Sequence, residues 1–160
     1  RVGSGPFVTE LDNDIGDHFV EKGQEFGTVT KRKRRCGWFD TVLVGQSIAI
    51  NGITDVVLTK LDVLDELEEI QVCVGYETKH KKYNYLPFDE NIQNILMPIY
   101  ETIPGWQEST FGLTSWDDLP KKAQSYINFL ESKIQKNISI ISTGPDRAHT
   151  IDRNNLLGNN

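Results

Sequence analysis

The chain has 160 residues, 38% of them hydrophobic and 9% aromatic, which is enough for one sizeable core and predicts a single domain. Its 17 Lys and Arg residues against 23 Asp and Glu residues leave a net charge of -6, which argues against a general nucleic-acid binder. No apolar run is long enough to span a membrane, and the first residues lack the apolar core of a signal peptide, so we expect no membrane association.

The cysteine content predicts the compartment. Cys36 and Cys73 are too few for a disulfide framework and do not have zinc-site spacing. We interpret them as reduced thiols, which predicts a cytoplasmic protein. Because the chain starts at Arg1 and its single methionine, Met97, lies well inside, we expect it to be a piece of a longer protein.

The first predicted elements are a glycine-rich turn and a helix. Residues 2 to 6 could bring backbone N–H groups close to a ligand, but they match neither P-loop nor dinucleotide spacing and are typical of a connector. Leu11, Ile15 and Phe19 recur at four-residue spacing ahead of Gly23. This pattern predicts an amphipathic helix over residues 11 to 22.

A run of five cations follows, from Lys31 to Arg35. Long cationic side chains are almost never buried without partners, so we expect the run to lie at the surface. Guanidinium groups bind phosphate and carboxylate through paired hydrogen bonds, and Arg32 and Arg34 could serve two different ligands. The run by itself is equally consistent with a solvated charge cluster or a nuclear-localisation signal.

Helices and strands then alternate. Asp40 is predicted to cap a helix that ends at Asn51-Gly52, and residues 56 to 59 predict a buried strand. Residues 69 to 75 alternate as a strand does, and they could pair with residues 82 to 86 as a β-hairpin.

The last third of the chain contains the clearest helix. Residues 98 to 103 and 138 to 141 predict two strands around it. We expect Asp118 to cap this helix and Pro120 to lie in its first turn. Its buried face should hold Ala123, Ile127, Leu130 and Ile134. The alternation of strands and helices predicts an α/β fold.

Two strand ends carry groups suited to a purine base. Asp62, in Thr59-Lys60-Leu61-Asp62, could accept hydrogen bonds from N1–H and the amino group of guanine, with the Lys60 stem along the base plane. An ordinary strand end, or a helix start with acidic residues in its first turn, would show the same pattern. In the segment 142 to 147 the small residues would let backbone approach a flat base, although the segment taken alone favours a simple tight turn.

Four blocks of sequence carry a resemblance to a known family, namely residues 25–40, 58–65, 98–106 and 140–147. Together they resemble the adenylosuccinate synthetase family, in the family's order and over nearly the whole chain. The match is to the C-terminal part of the enzyme.

The resemblance implies that residues 1 to 160 are the C-terminal segment of a larger, mostly parallel-sheet domain of the α/β class. It implies a ligase of AMP biosynthesis and purine salvage, which joins L-aspartate to IMP at the expense of GTP. The products are adenylosuccinate, GDP and phosphate, and the reaction passes through 6-phosphoryl-IMP with Mg²⁺. The family also implies a homodimer and no nucleic-acid partner.

The resemblance also implies site residues, which are assigned here to the matching positions of this chain. The aspartate-binding loop would be Thr28, Val29, Thr30, Lys31, Arg32, Lys33 and Arg34, with Arg32 and Val2 also on the IMP side. GTP would be bound by Arg34, Lys60, Leu61, Asp62, Ser142, Thr143, Gly144 and Pro145.

The chain departs from the family at two loop positions. Val29 stands where the family has a threonine, so it cannot donate a hydroxyl hydrogen bond to a carboxylate. Lys31 stands where the family has a glycine, and a residue with a Cβ resists positive φ. We therefore expect Val29 and Lys31 to affect aspartate binding and loop closure.

The family's phosphate loop, general-base Asp, Mg²⁺ ligand and catalytic His have no counterpart here, because His18, His80 and His149 lie in other contexts. We therefore expect no catalytic or metal residue in this segment, and no activity from it alone. Two alternatives stay open: a non-catalytic guanine-nucleotide-binding module, and a nucleic-acid-binding domain that uses residues 31 to 35.

Overall fold

The computed structural model describes residues 2 to 158. Four helices and one 3₁₀ turn are present among them: α1 (Asp14–Gly23), α2 (Thr41–Asn51), the 3₁₀ turn (Leu61–Leu64), α3 (Glu90–Gln93) and α4 (Lys121–Ile134). The strands are β1 (Phe39–Asp40), β2 (Val56–Leu58), β3 (Glu69–Glu77), β4 (Lys82–Tyr83), β5 (Met97–Pro104), β6 (Ile138–Ser142) and β7 (Thr150–Asp152).

The chain folds into two compact units. The first unit comprises the described residues up to Gln46 together with Gln71–Glu101. The second comprises Ser47–Ile70 and the described residues from Thr102 onward. Three elements, α2, β3 and β5, each contribute residues to both units.

The sheet of the first unit is built around β3. Phe39 of β1 lies opposite Val72 in parallel register, and Tyr76 lies opposite Tyr83 of β4 in antiparallel register. Strand β5 also pairs with β3. The side chains of Val42, Cys73 and Tyr76 are buried together in the core of this unit.

The second unit contains a three-stranded sheet in the order β2-β6-β7. Leu58 of β2 lies opposite Ile141 of β6 in parallel register, and Ile141 lies opposite Ile151 of β7 in antiparallel register. The four apolar residues that were predicted to share one face of α4 are all buried. Ile138 and Ile141 of β6, in the same unit, are also buried.

The predicted α/β class is confirmed, with both parallel and antiparallel strand pairs in the described sheets. The strands predicted around residues 69 to 75, 98 to 103 and 138 to 141 are all present. The proposed hairpin also forms, although only two residues of β4 pair with β3. Asp40 caps α2 as expected, by accepting from the N–H groups of Val42 and Leu43.

Three local predictions were wrong. Helix α1 begins at Asp14, because Asn13 accepts a hydrogen bond from the N–H of Gly16 and caps it there. Ile15 is exposed, so it is not part of the buried face. Pro120, not Asp118, precedes the first turn of α4, and no side chain caps that helix.

Strand β2 is not the buried strand that its sequence predicts. Val57 is 56% exposed, and β2 lies at the end of the strand order in its sheet. An end strand is covered on fewer sides than a central one, so its apolar residues need not be buried.

Neither cysteine forms a disulfide, and Cys73 lies in the core whereas Cys36 is partly buried. Within residues 2 to 158, no helix is long and apolar enough to cross a membrane.

Candidate functional site

The two strand ends predicted to bind a base lie next to each other in the second unit. Because β2 and β6 are parallel neighbours, their carboxyl ends meet at one edge of the sheet. Residues 59 to 62 leave β2 at that edge, and residues 142 to 145 end or follow β6 there. Ligands of open α/β sheets bind outside the carboxyl ends of the strands, so this edge is a suitable site.

The backbone of Lys60 is strained. Its φ of 61° and ψ of 41° place it in the left-handed region, immediately before the 3₁₀ turn. A residue with a Cβ in this region costs about 1–2 kcal/mol, and such strain is concentrated at functional sites. The conformation brings the chain directly from the strand into the turn that carries Asp62.

Asp62 carries a buried carboxylate oxygen, Oδ1, that has no hydrogen-bond partner among the described residues. Burial raises the pKa of Asp62 above its ordinary value, and the negative charge of Asp65 raises it further. A hydrogen bond from its own backbone N–H and the charges of Lys60 and His149 lower it. An unsatisfied buried acceptor is destabilising, typically by about 1–3 kcal/mol. A ligand N–H directed at Oδ1 would remove that cost.

The segment after β6 is a closed turn held by hydrogen bonds of its own backbone and of Thr143. The N–H of Thr143 donates to the carbonyl of His149 at 3.0 Å, and its hydroxyl donates to the carbonyl of Leu113 at 2.8 Å. The Ser142 hydroxyl donates to the carbonyl of Gly144 at 2.9 Å. Thr143 is fully buried. The turn is therefore rigid on one side of the site, whereas Pro145 at its tip is exposed.

His149 belongs to this site, and the sequence reasoning missed it. A Cβ on Gly144 would lie 2.5 Å from Nδ1 of His149, so the imidazole occupies space that only a glycine leaves open. The ring also contacts Phe111 edge-on, with 5.0 Å between ring centroids. Its Nδ1 is buried and has no hydrogen-bond partner among the described residues. The one available signal was the position of His149, five residues after Gly144 in a turn that already held predicted ligands.

A second group missed from sequence fixes the loop beside the 3₁₀ turn. Oδ1 of Asp65 accepts from Nε1 of Trp106 and from the hydroxyl of Thr110, each at 2.7 Å. Oδ2 accepts from the N–H of Thr110, also at 2.7 Å. Thr110 is fully buried and Trp106 is 3% exposed. Asp65 thus ties the loop that carries Phe111 to the turn that carries Asp62.

In the first unit, the basic run forms one arm of a tight hairpin. Phe26 bridges to Lys33 in antiparallel register, and the N–H of Gly27 donates to the carbonyl of Arg32 at 2.8 Å. Lys31 lies at the tip with a φ of 55°. The tip residues 28 to 32 are exposed, and Val29 is 92% exposed. Lys31, Arg32 and Lys33 are exposed as predicted for the run, whereas Arg34 and Arg35 are partly buried.

Three of the five cations form ion pairs within the unit. Lys33 contacts Asp17 at 2.9 Å and Glu21 at 3.7 Å, and Arg34 contacts Glu25 at 3.0 Å. Arg35 contacts Glu10 at 2.5 Å and also donates to the carbonyls of Gly3 and Gly5. The hydrogen bond from Arg35 lowers the pKa of Glu10.

No ion pair is present for Lys31 or Arg32 within residues 2 to 158. The sequence suggests a cluster of five unpaired cations, but in the structure three of the five have acidic partners. Arg34 is a special case, since its Nη1 is paired with Glu25 while its buried Nε has no partner among the described residues.

Two further predicted site residues differ in exposure. Val2 is 78% exposed, so its side chain is open to a ligand. Leu61 is 1% exposed, so its side chain is part of the core and its backbone is the part available for binding. Across residues 2 to 158, no group of three or more His, Cys, Asp or Glu side chains is placed to bind a metal ion.

Comparisons with known proteins identify the family of this chain. The family model described as adenylosuccinate synthetase matches residues 1–151. Adenylosuccinate synthetase of Ehrlichia canis is 52% identical over 155 residues, which are 97% of this chain and 36% of that protein. The enzyme of Marinobacter nauticus is 52% identical over 158 residues, or 99% of this chain and 37% of that protein.

Among solved structures, that of fully ligated adenylosuccinate synthetase from Plasmodium falciparum superimposes with a TM-score of 0.89 at 42% identity. The match covers 95% of this chain and 37% of that one. The chain thus spans a little over a third of the length of these relatives. On the family match, the sequence identity and the shared fold, the chain belongs to the adenylosuccinate synthetase family.

Proposed function

We propose that this chain is the C-terminal part of an adenylosuccinate synthetase, a ligase of AMP biosynthesis and purine salvage. In the reaction GTP phosphorylates O6 of IMP, and the amino group of L-aspartate then displaces phosphate from C6. The products are adenylosuccinate, GDP and phosphate. We expect the isolated segment to be inactive, because it would supply guanine recognition and the aspartate loop without the phosphate-binding part.

One observation carries the proposal. Three buried side-chain nitrogen or oxygen atoms lack a hydrogen-bond partner within residues 2 to 158, and they belong to Arg34, Asp62 and His149. Arg34 and Asp62 are residues that the family resemblance assigns to GTP, and His149 adjoins the assigned turn. Unsatisfied buried polar atoms are rare in native proteins and call for an explanation. Oδ1 of Asp62 is the one of these atoms that belongs to the segment leaving β2, and a guanine bound at the carboxyl ends of β2 and β6 is the explanation that its chemistry favours.

The guanine would bind at the carboxyl ends of β2 and β6. Oδ1 of Asp62 would accept from N1–H and the 2-amino group, which adenine cannot offer in that arrangement. Lys60 and the backbone of Leu61 would lie along the base from one strand end. Ser142, Thr143, Gly144 and Pro145 would border it from the other. Gly144 suits this role because it lets backbone approach closely.

The hairpin of the first unit would bind the other substrates. Arg32, which forms no ion pair among the described residues, is suited to grip the carboxylates of aspartate on the IMP side. Thr28 and Thr30 would donate hydroxyl hydrogen bonds in place of Val29, and Arg34 would contact GTP. Lys31 and Lys33 would complete the loop, and Val2 would lie beside the IMP ribose.

The proposal includes Mg²⁺, GTP as co-substrate, a homodimer and a cytoplasmic location, all expected of the family. The described residues do not fit a magnesium site, since they bring no set of three candidate ligands together. We therefore expect any protein ligands for the metal to come from the rest of the complete protein. Cys36 and Cys73 form no disulfide, which is compatible with a reducing compartment.

Competition binding of GDP against ADP on the complete protein tests guanine recognition. We expect GDP to bind at least roughly 100-fold more tightly, because ADP would leave the acceptor of Asp62 unsatisfied. Asp62→Asn should reduce this preference, since the amide presents one acceptor where the carboxylate presents two. Equal binding of GDP and ADP by the wild-type protein would contradict the assignment. Tight, steeply salt-dependent binding of RNA or DNA without competition by GDP would favour a nucleic-acid-binding domain instead.

A further inference from the structure

Arg35, the last cation of the basic run, binds the glycine-rich turn of residues 2 to 6. Its Nη1 donates to the carbonyl of Gly5 at 2.7 Å and to that of Gly3 at 3.2 Å. Its Nε and Nη2 donate to the two carboxylate oxygens of Glu10, at 2.7 Å and 2.5 Å. All three nitrogens of the guanidinium group are therefore bonded, in a planar arrangement that an ammonium group cannot reproduce.

The turn depends on this side chain for its position. Gly3 has a φ of 95°, which glycine adopts freely, and Gly5 likewise has no side chain that could pack. Within residues 2 to 158, the hydrogen bonds to Gly3 and Gly5 both come from Arg35. Because a glycine-rich segment has much conformational freedom to lose, two bonds from one fixed donor restrict it strongly.

Arg35 can hold the turn because its own backbone is fixed on both sides. The N–H of Arg34 donates to the carbonyl of Glu25 at 2.8 Å, and the carbonyl of Cys36 accepts from the N–H of Leu11 at 2.9 Å. These bonds join backbone atoms, so a substitution at residue 35 removes neither of them. Loss of the guanidinium should therefore loosen the turn while the hairpin keeps its position.

The turn that Arg35 holds adjoins a residue assigned to IMP. Val2 directly precedes Gly3, its side chain is 78% exposed, and the proposed function places it beside the IMP ribose. The hairpin on the other side of Arg35 carries the residues proposed to bind aspartate and GTP. The side chain of Arg35 thus connects the IMP part of the proposed site to the part for the other two substrates.

We propose that Arg35 is a positioning residue for IMP, which acts by fixing the glycine-rich turn of residues 2 to 6 beside the base of the hairpin. This inference rests on the proposed function, because Val2 is assigned to IMP there. It also gives the fifth cation of the run a role, since the assigned aspartate loop ends at Arg34.

A purely structural role for Arg35 makes a different prediction. The side chains of Arg35 and Glu10 are 30% and 35% exposed, and ion pairs with this much exposure contribute little to stability. If the pair only supports the fold, its removal should leave the KM of every substrate unchanged in protein that remains folded. If Arg35 positions the turn, the KM for IMP should rise selectively.

The experiment measures steady-state kinetics of the complete protein and of its Arg35→Lys and Arg35→Met variants, with IMP, aspartate and GTP varied in turn. Lysine keeps the charge, but its single ammonium cannot hold the carboxylate and both carbonyls together. Both variants should raise the KM for IMP roughly 10-fold, because hydrogen bonds to the turn are lost. The kcat and the KM for aspartate and GTP should change less than about twofold, since only IMP binding is weakened.

Arg153 provides the matched control. Its Nη1 donates to Glu131 at 2.7 Å and to the carbonyl of Ile138 at 3.0 Å, at the amino end of β6. The guanidinium groups of Arg153 and Arg35 also each lie over an aromatic ring. Arg153→Lys thus removes the same kinds of contact away from the turn, and it should leave all three KM values within about twofold of the wild type.

Each contrary outcome has a separate meaning. An unchanged KM for IMP in Arg35→Lys, or an equal rise in the KM of all three substrates, would refute the positioning role while the ligase reaction stands. A wild-type protein that does not consume GTP in the presence of IMP and aspartate would refute the proposed function, and this role with it. Arg35→Lys keeps the charge and most of the side-chain volume, so a folding defect in Arg35→Met does not prevent the test.

Discussion

Tyr76 donates a hydrogen bond from its phenolic hydroxyl to Oδ2 of Asp40, with 2.5 Å between the two oxygens. Oδ1 of the same carboxylate accepts from the N–H groups of Val42 and Leu43 and caps α2. Burial raises the pKa of Asp40, and the hydrogen bond from Tyr76 is the main influence that lowers it. The carboxylate is tolerated in a largely apolar setting because both of its oxygens have donors.

This pair makes the stability of the first unit depend on pH. Since the pKa of Asp40 in the folded protein lies above its ordinary value of 3.8, the folded state binds the proton more tightly than the unfolded state does. Its contribution to stability is therefore full below the ordinary pKa and is lost as pH rises through the folded pKa.

Tyr76→Phe should raise the pKa of Asp40 further and extend this loss of stability to higher pH. Urea unfolding of the complete protein at a series of pH values from about 4 to 7 measures the effect. Asp40→Asn, which cannot ionise, is the control and should remove this part of the pH dependence. An unchanged profile in Tyr76→Phe would show that the hydrogen bond does not set the pKa.

Lys31 at the tip of the hairpin provides a second prediction. With a φ of 55°, its Cβ is strained in the left-handed region, whereas glycine adopts that region freely. Lys31→Gly should stabilise the closed hairpin by roughly 0.5–1 kcal/mol after the extra flexibility of glycine in the unfolded chain is counted. Hydrogen exchange at the N–H of Lys31, which donates to the carbonyl of Gly27 at 2.9 Å, reports on this change.

Lys31→Ala removes the same charge and keeps the Cβ, so it separates strain from electrostatics. It should exchange at the wild-type rate or faster. Equal protection in the glycine and alanine variants would mean that backbone strain at this position does not limit the hairpin.

The elements that sequence predicted well are those set by local pattern. The four apolar residues spaced along α4 are all buried, because a stripe at helical spacing can only be covered on one side of the helix. The cap of α2 by Asp40 was also predictable, since the donors are two and three residues away.

The contacts that sequence could not predict join residues far apart in the chain. Asp65 and Trp106 are 41 residues apart, and no local pattern indicates that the indole donates to that carboxylate. His149 was passed over because its importance depends on the space beside Gly144, which only the folded turn shows. Burial of Val57 was predicted wrongly because the strand order, not the strand's own composition, decides which faces are covered.

Asp65→Asn should destabilise the second unit by about 2–3 kcal/mol. Its carboxylate accepts three hydrogen bonds, and an amide nitrogen in place of Oδ2 would face the N–H of Thr110, donor against donor. Urea unfolding and the fluorescence of the buried Trp106 measure the loss. A change below about 0.5 kcal/mol would show that the loop holds without this anchor.

Asp118→Asn is the matched control for that variant. The two residues undergo the same chemical change, but Asp118 is exposed and does not cap α4. Its effect should stay within about 0.5 kcal/mol. A large loss in Asp118→Asn would mean that α4 depends on a cap that the structure does not show.

Arg32→Ala tests the division of roles within the basic run. Lys33, Arg34 and Arg35 are committed to acidic partners, whereas Arg32 is exposed at the hairpin with no ion pair among the described residues. In the complete enzyme we expect this variant to raise the KM for aspartate roughly 10- to 100-fold, because a charge-assisted hydrogen bond to a carboxylate contributes about 1.5–3 kcal/mol. The KM for GTP should change less than about twofold, since no GTP contact is assigned to Arg32.

Lys79→Ala, which removes an exposed cation outside the loop, controls for the loss of one positive charge. Unchanged aspartate kinetics in Arg32→Ala would show that other residues of the hairpin bind aspartate. Thr28 and Thr30 would then be the next residues to substitute.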